Sequence, residues 1–188
     1  MPISTPTSIG TVATATLSGT QALTTTASVA SGGKIWLLIA WYLATGGSIT
    51  SVSGGGLTWT EDQDGTNGFA GFGIYQADAP SGLASGTGIT VTFSTSVFDR
   101  FIAGLTATGV LAGAGSAYGS VAANVTTAAW SSGATTVNAG DILIGGSNFS
   151  AATGSATSTP SGGNTEVHDF TTADGESLAT GYQFGTGA

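Results

Sequence analysis

The chain has 188 residues, of which 40% are hydrophobic and only 6% are charged, against about 25% charged residues in an average soluble protein. Its two basic residues, Lys34 and Arg100, stand against ten acidic residues, and the net charge is -8. Because nucleic acid and anionic membrane surfaces are bound by clusters of Lys and Arg, we expect neither as a partner. The length fits a single domain, residues 1–188, with a surface of Ser, Thr, Asn, Gln and Gly.

Short segments that alternate apolar residues with Ser or Thr run through the whole chain. Residues 1–10 are interpreted as an extended N-terminal arm, and the candidate strands that follow are 14–17, 23–29, 34–44, 49–53, 57–60, 69–77, 88–95, 100–110, 120–130, 141–149 and 177–184. A period of two residues is typical of strands, and Gly and Thr are poor helix formers. The sequence therefore predicts an all-β protein, an antiparallel β-sandwich of jelly-roll-like or Ig-like type.

The most apolar segment is KIWLLIAWYLA, residues 34–44, which is flanked by Gly pairs. A membrane-spanning helix needs about 20 apolar residues, so we interpret the segment as a strand that is buried on both faces. Trp36 and Trp41 are five residues apart and should point to opposite faces of it.

The segment TWTEDQDGTNGF, residues 58–69, holds three carboxylates within four residues. Asp-Gly and Asn-Gly are turn-forming pairs, and we interpret the segment as a soluble turn between strands. The alternative is calcium, with oxygen ligands from Asp62, Asp64 and Asn67 around Gly65. The spacing is not that of an EF-hand loop. No other cofactor is expected.

A second acidic segment, EVHDFTTADGE at residues 166–176, could supply further ligands to such a calcium site if the fold brought the two segments together. Its candidate ligands are Glu166, Asp169, Asp174 and Glu176. The sequence does not indicate whether the two segments meet.

We predict no catalytic residues. His168 is the only histidine, so general-base or triad chemistry would depend on it alone. Its polar surroundings favour a loop position, and the chain has no Gly-x-Ser-x-Gly motif. Asp99 beside Arg100 is interpreted as a local ion pair or turn.

The eight Trp and Tyr residues allow two interpretations. They could form a platform that stacks on sugar rings, or they could fill the core, where a large aromatic side chain buries about 150 to 250 Å². These residues are Trp36, Trp41, Trp59, Trp130, Tyr42, Tyr75, Tyr118 and Tyr182.

The order of several segments resembles a β-sandwich module of tailed-bacteriophage virion proteins, which also occurs in bacterial surface proteins. The resemblance rests on the Gly-flanked aliphatic strand, SVSGGGLTWT, YQADAPSG, ITVTFS, NAGDILIGGSNFS and SLATGYQF. It implies a structural or host-facing role on a particle and carries no catalytic residues. It also leads us to expect a further strand after GYQF, whose place a neighbouring subunit could take by strand addition.

The composition favours assembly. Small hydroxyl side chains lose little rotamer entropy on contact, and interface cores are poor in Lys and Glu. We therefore expect a non-enzymatic virion protein, a capsid decoration, head fibre or tail-associated component, whose partners are copies of itself and other virion proteins. The alternative is a carbohydrate-binding or adhesive module of a secreted or cell-surface protein, with a host-surface glycan as its ligand.

Overall fold

The computed structural model describes residues 2–42, 47–66, 70–112, 138–150, 163–171 and 176–185. Within these ranges the chain forms ten strands and no helix, and so no helix that could cross a bilayer. The strands are β1 (Thr7–Thr14), β2 (Ser18–Thr24), β3 (Gly33–Tyr42), β4 (Ile49–Gly54), β5 (Thr60–Thr66), β6 (Ala70–Ala79), β7 (Gly88–Ala107), β8 (Ile142–Ser150), β9 (Thr165–Thr171) and β10 (Glu176–Phe184). The all-β prediction is confirmed.

Strand β7 is 20 residues long and belongs to two sheets. Its first half pairs with β2 and β4, and these three form the front sheet. Its second half pairs with β1 and β3 in the central sheet, whose order is β1-β7-β3-β6-β5. A separate rear sheet has the order β8-β10-β9. All named pairs are antiparallel.

The central and front sheets pack face to face, which confirms the predicted β-sandwich. Their shared core, the front core, contains alternate residues of β3 together with inward residues of the other strands: Ile9, Leu23, Ile35, Leu37, Ile39, Trp41, Ile49, Ile89, Val91, Phe93, Val97 and Ile102. The Trp41 and Phe93 rings pack across the two sheets with centroids 5.5 Å apart.

The opposite face of the central sheet is covered by the rear sheet, a third layer that the sequence did not predict. Trp36, Leu38 and Leu105 pack there with Ile142, Ile144 and Val167, and a neighbouring cluster joins Phe101 to Leu178 and Phe170. Strand β3 is therefore buried on both faces, and Trp36 and Trp41 point to opposite sides of it, both as predicted.

The chain crosses from the front to the central sheet at Asp99 and Arg100. Asp99 has a left-handed φ of 39°, which bends β7 without ending it, so the two strands predicted at 88–95 and 100–110 are one. The Arg100 side chain is 2% exposed. Its Nε donates to Gln21 Oε1 at 3.2 Å, and its Nη1 donates to the carbonyls of Ser18 at 2.8 Å and Val97 at 3.2 Å.

Several strands lie where the sequence did not predict them. Residues 7–10 begin β1, and the preceding segment is held where the Ser4 N–H donates to the Thr108 carbonyl at 2.9 Å.

Strand β10, which contains GYQF, has a neighbour on each side, so there is no open place beside it for an added strand. The candidate strand 120–130 lies outside the described residues.

Two glycines of β6 make room for the front core. An added Cβ at Gly71 would lie 2.1 Å from ring atoms of Trp41, and one at Gly73 would lie 2.8 Å from Ile49 Cδ1. The alternation Gly-Phe-Gly-Ile at 71–74 thus places small residues on the front face and large ones on the rear face.

We expect Gly71→Ala to lower the free energy of unfolding by about 1–3 kcal/mol or more, because the indole of Trp41 would have to move within a close-packed core. Urea unfolding followed by tryptophan fluorescence measures this change. Gly88→Ala is the matched control, since a Cβ on that strand glycine would have no atom within 4 Å. Equal effects of the two variants would contradict the packing role of Gly71.

Candidate functional site

The acidic segment lies in β5, an edge strand of the central sheet, and not in a turn. A β-bulge between Glu61 and Gln63 shifts its register against β6. Glu61 lies opposite Tyr75 and Asp64 opposite Gly73, on the front face, whereas Asp62 contacts Gln76 on the rear face. The bulge therefore places Asp64 on the same face as Glu61 and leaves Asp62 on the other face of the sheet.

The front-face group consists of Glu61, Asp64 and Tyr75. The Tyr75 hydroxyl donates to Glu61 Oε2 at 3.1 Å, and burial together with the charges of Glu61 and Asp64 raises the pKa of Tyr75. Burial also raises the pKa of Asp64, and the Glu61 charge adds to it, although the backbone N–H groups of Ile49 and Gly65 oppose the shift. The charges of Glu61 and Asp64 therefore lie close enough on this face to disfavour the ionised form of Asp64.

The rear-face group consists of Asp62, Gln76, Lys34 and Asp78. Gln76, which is 2% exposed, donates through Nε2 to Asp62 Oδ1. Lys34 pairs with Asp78 on the neighbouring strand at 3.1 Å. Burial raises the pKa of Asp62, opposed by the Gln76 hydrogen bond and the charge of Lys34. These side-chain contacts link β5 to β6 and β6 to β3.

The turn interpretation was therefore wrong for residues 61–65, and Asn67 lies outside the described residues. Asp and Gly are not confined to turns, because an edge strand also tolerates them. Charged side chains on such a strand discourage its pairing with another chain. Asp62 and Asp64, the core of the proposed calcium set, face opposite sides of the sheet.

The second acidic segment is also a strand. Glu166 and Asp169 lie in β9, and Glu176 lies in β10. Strand β9 contacts β1, at the opposite edge of the central sheet from β5, so the described parts of the two acidic segments do not meet. Asp174 lies outside the described residues. Across the described ranges, no group of three or more acidic, His or Cys side chains is placed to hold a metal ion.

His168 occupies β9 and not the predicted loop. Its Nδ1 lies 2.8 Å from Thr180 Oγ1 in the rear sheet, and its Nε2 lies 2.7 Å from Ser8 Oγ in the central sheet. Ser8 Oγ also accepts a hydrogen bond from the Gly10 N–H at 3.1 Å. Burial lowers the pKa of His168, so the ring is neutral at pH 7 and bridges two layers.

The Ser8 and His168 pair has the spacing of a nucleophile and its base, but its other contacts are structural. In catalytic triads a carboxylate orients the second ring nitrogen, whereas here the hydroxyl of Thr180 does so. Sequence reasoning missed Ser8 and Thr180 because Ser8 is 160 residues from His168, and a single serine in a Ser-rich chain carries no signal.

The aromatic residues are mostly used in packing. Trp36, Trp41, Tyr75 and Tyr182 are buried, and Trp59 and Tyr42 are partly buried. Trp41 Nε1 donates to the Gly47 carbonyl at 3.2 Å and Trp59 Nε1 to the Gly54 carbonyl at 3.3 Å. Tyr118 and Trp130 lie outside the described residues. The described aromatics therefore fit the core interpretation better than a sugar-stacking platform.

Comparison of the chain with protein-family models, with curated proteins and with solved structures found no match.

We expect Asp64→Asn to raise the free energy of unfolding at pH 7 by about 0.2–1 kcal/mol, the range for partly exposed charge pairs. The folded-state pKa of Asp64 lies above its unfolded value of 3.8, so the ionised form destabilises the fold, and stability is gained as the pH falls through the raised pKa. The gain from the substitution should therefore vanish below about pH 3.

Urea unfolding of both proteins at pH 7 and pH 3 checks this. Asp141→Asn is the control for net charge, because Asp141 Oδ2 accepts from the Asn138 N–H at 3.2 Å and Nδ2 at 3.1 Å and its loss should not stabilise. A loss of stability in Asp64→Asn at pH 7 would refute the prediction.

Proposed function

We propose that the chain is a non-enzymatic structural protein that acts by assembling with copies of itself and with other proteins, as a capsid decoration, head fibre or tail-associated component of a bacteriophage virion. The observation that carries the proposal is the outward side of the front sheet. We call it the hydroxyl face, and it consists of Thr20, Ala22, Thr24, Ser51, Ser53, Thr90 and Thr92.

The hydroxyl face is ordered by strand register. Thr92 lies between Thr20 and Ser51, and Thr90 lies between Ala22 and Ser53. The alternate residues of the same three strands, such as Leu23, Val91 and Val52, pack into the front core. Strands β2, β4 and the first half of β7 contain no charged residue, so the face is uncharged as well as regular.

Such a face is suited to association. Ordering a Lys or Glu side chain costs up to about 2 kcal/mol, whereas short hydroxyl side chains lose much less. Charged residues are depleted at the centres of protein interfaces, and this chain carries few of them anywhere. A second copy that docks here would bury hydroxyl and methyl groups without stranding a charge.

The contacts of the reactive side chains support a structural role. The only histidine bridges Ser8 and Thr180, Lys34 is paired with Asp78, and Arg100 binds Gln21 and two backbone carbonyls. Each of these groups holds strands together. The placement on a phage particle rests on the resemblance of the strand order and of segments such as SVSGGGLTWT and YQADAPSG.

The alternative is a carbohydrate-binding or adhesive module of a secreted or cell-surface protein. Uncharged hydroxyl groups can bond sugar hydroxyls, which favours this alternative. The aromatic stacking surface that such a module uses would have to come from outside the buried set Trp36, Trp41, Tyr75 and Tyr182.

We expect light scattering to find a homo-oligomer of the purified chain. Thr92→Arg, at the middle of the hydroxyl face, should weaken self-association at least about tenfold, since a charge would be buried without a partner. Ser28→Arg is the control, because Ser28 is exposed and lies outside the three strands.

A monomer at all concentrations that binds a glycan array would contradict the assembly proposal and favour the alternative. Equal weakening by both Arg variants would show that added positive charge, and not the hydroxyl face, governs association.

A further inference from the structure

The rear sheet is fixed to the central sheet by apolar packing and by polar side chains that cross between the layers. Asn148 Nδ2 lies 3.4 Å from the carbonyl of Trp41 and 3.3 Å from that of Gly71. His168 Nε2 lies 2.7 Å from Ser8 Oγ on β1. Of these two crossing side chains only His168 is ionisable, so acid can alter its contact directly.

Apart from the hydroxyls of Ser8 and Thr180 at its two nitrogens, the His168 ring lies beside an apolar cluster. Its ring packs edge-on to Phe170 with centroids 6.5 Å apart, and Phe170 belongs to the cluster of Phe101 and Leu178. A charge formed on this ring would lose much of its hydration, and burial is the cause that lowers the pKa of His168.

The ionisable groups near the ring do not offset that cost. Strand β1 contains none, and on the same face of β7 lie Phe101, Ala103 and Leu105. In β9, Glu166 and Asp169 flank the ring on the opposite face of the rear sheet, as the register with Gly181 and Ala179 indicates. In β10, Glu176 shares the face of Thr180 but lies four residues away, about 13 Å along the strand.

We propose that protonation of His168 in mildly acid solution loosens the rear sheet from the central sheet and exposes the apolar face that the two sheets share. The sheet pair is thus a device that responds to pH, and the inference holds whether or not the chain is a virion component.

The direction follows from where the ring is hydrated. In the closed state the ring is buried and binds its second proton poorly, whereas in the opened state water solvates it and its pKa returns toward about 6.5. The opened state therefore binds more protons below that pH. Above the pKa of His168 in the opened state, the ring is neutral in both states and the closed state keeps its full stability. As the pH falls from that value toward the pKa of His168 in the closed state, the equilibrium constant for opening rises by up to about tenfold per pH unit.

Hydrogen exchange read by mass spectrometry at pH 7.5, 6.5, 5.5 and 5.0, corrected for intrinsic exchange rates, tests this. Protection of peptides from β8, β9 and β10 should fall below about pH 6.5, by up to about tenfold per pH unit. Peptides from β2, β4 and the first half of β7 should not change. His168→Gln, which keeps an amide able to bond Ser8, should abolish the pH dependence. Asp169→Asn, on the other face of β9, should retain it.

An NMR titration of the wild-type chain is a second test, and it does not depend on the folding of a variant. Because His168 is the only histidine, its ring Cε1 proton gives one assignable NMR signal, whose titration midpoint should lie below about 6.5. The proposal is overturned if that midpoint lies at or above this value. Rear-sheet protection that does not change down to pH 5, or that falls equally in His168→Gln, would also overturn it.

Discussion

The fold depends on one buried charged side chain at the bend of β7. This strand pairs with β1, β2, β3 and β4, so the point where it leaves one sheet and enters the other fixes both sheets. At that point Arg100 spreads its donors over Gln21 and the carbonyls of Ser18 and Val97, and Asp99 provides the opposite charge. A buried guanidinium without such partners would cost several kcal/mol; with them it holds β2 to the bend of β7.

The central sheet, buried on both faces, accounts for the unusual composition. Strand β3 has no solvent-facing side along most of its length, so its residues are apolar in succession, and the neighbouring β6 needs Gly71 and Gly73 to accommodate Trp41 and Ile49. With three layers, polar residues are left to the outer faces and edges. The chain meets that need mainly with Ser and Thr, and it places three of its ten carboxylates on the edge strand β5. This distribution leaves a surface of uncharged hydroxyl groups, which is the physical basis of the proposed function.

The sequence was sufficient for the features that depend on local pattern. The fold class, the double burial of β3 and the opposite directions of Trp36 and Trp41 all follow from periodicity and composition. Features that depend on contacts between distant residues were not predictable. The bulge in β5 places Asp62 and Asp64 on opposite faces, whereas an unbroken strand would place both on the same face. Turn-forming pairs such as Asp64-Gly65 also led the strand to be predicted as a turn. Strand β9 was also not predicted, because Glu166, His168 and Asp169 give its sequence a polar character typical of a loop. The partners of His168, Ser8 on β1 and Thr180 on β10, are evident only in the folded chain. The left-handed Asp99 lies within one continuous strand, β7, which the alternation pattern had divided into two.

The dependence of the β7 bend on Arg100 is tested by comparing the free energies of unfolding of Arg100→Met and Lys34→Met. Each variant removes one positive charge from a buried side chain. Arg100→Met should cost about 3–5 kcal/mol, because it removes the donors to Gln21 Oε1 and to the Ser18 and Val97 carbonyls together with the positive charge beside the buried Asp99. Lys34→Met should cost less, about 1–3 kcal/mol, because its partner Asp78 is 39% exposed and water can solvate it. If Arg100→Met proves no more costly than Lys34→Met, the bend of β7 does not depend on Arg100.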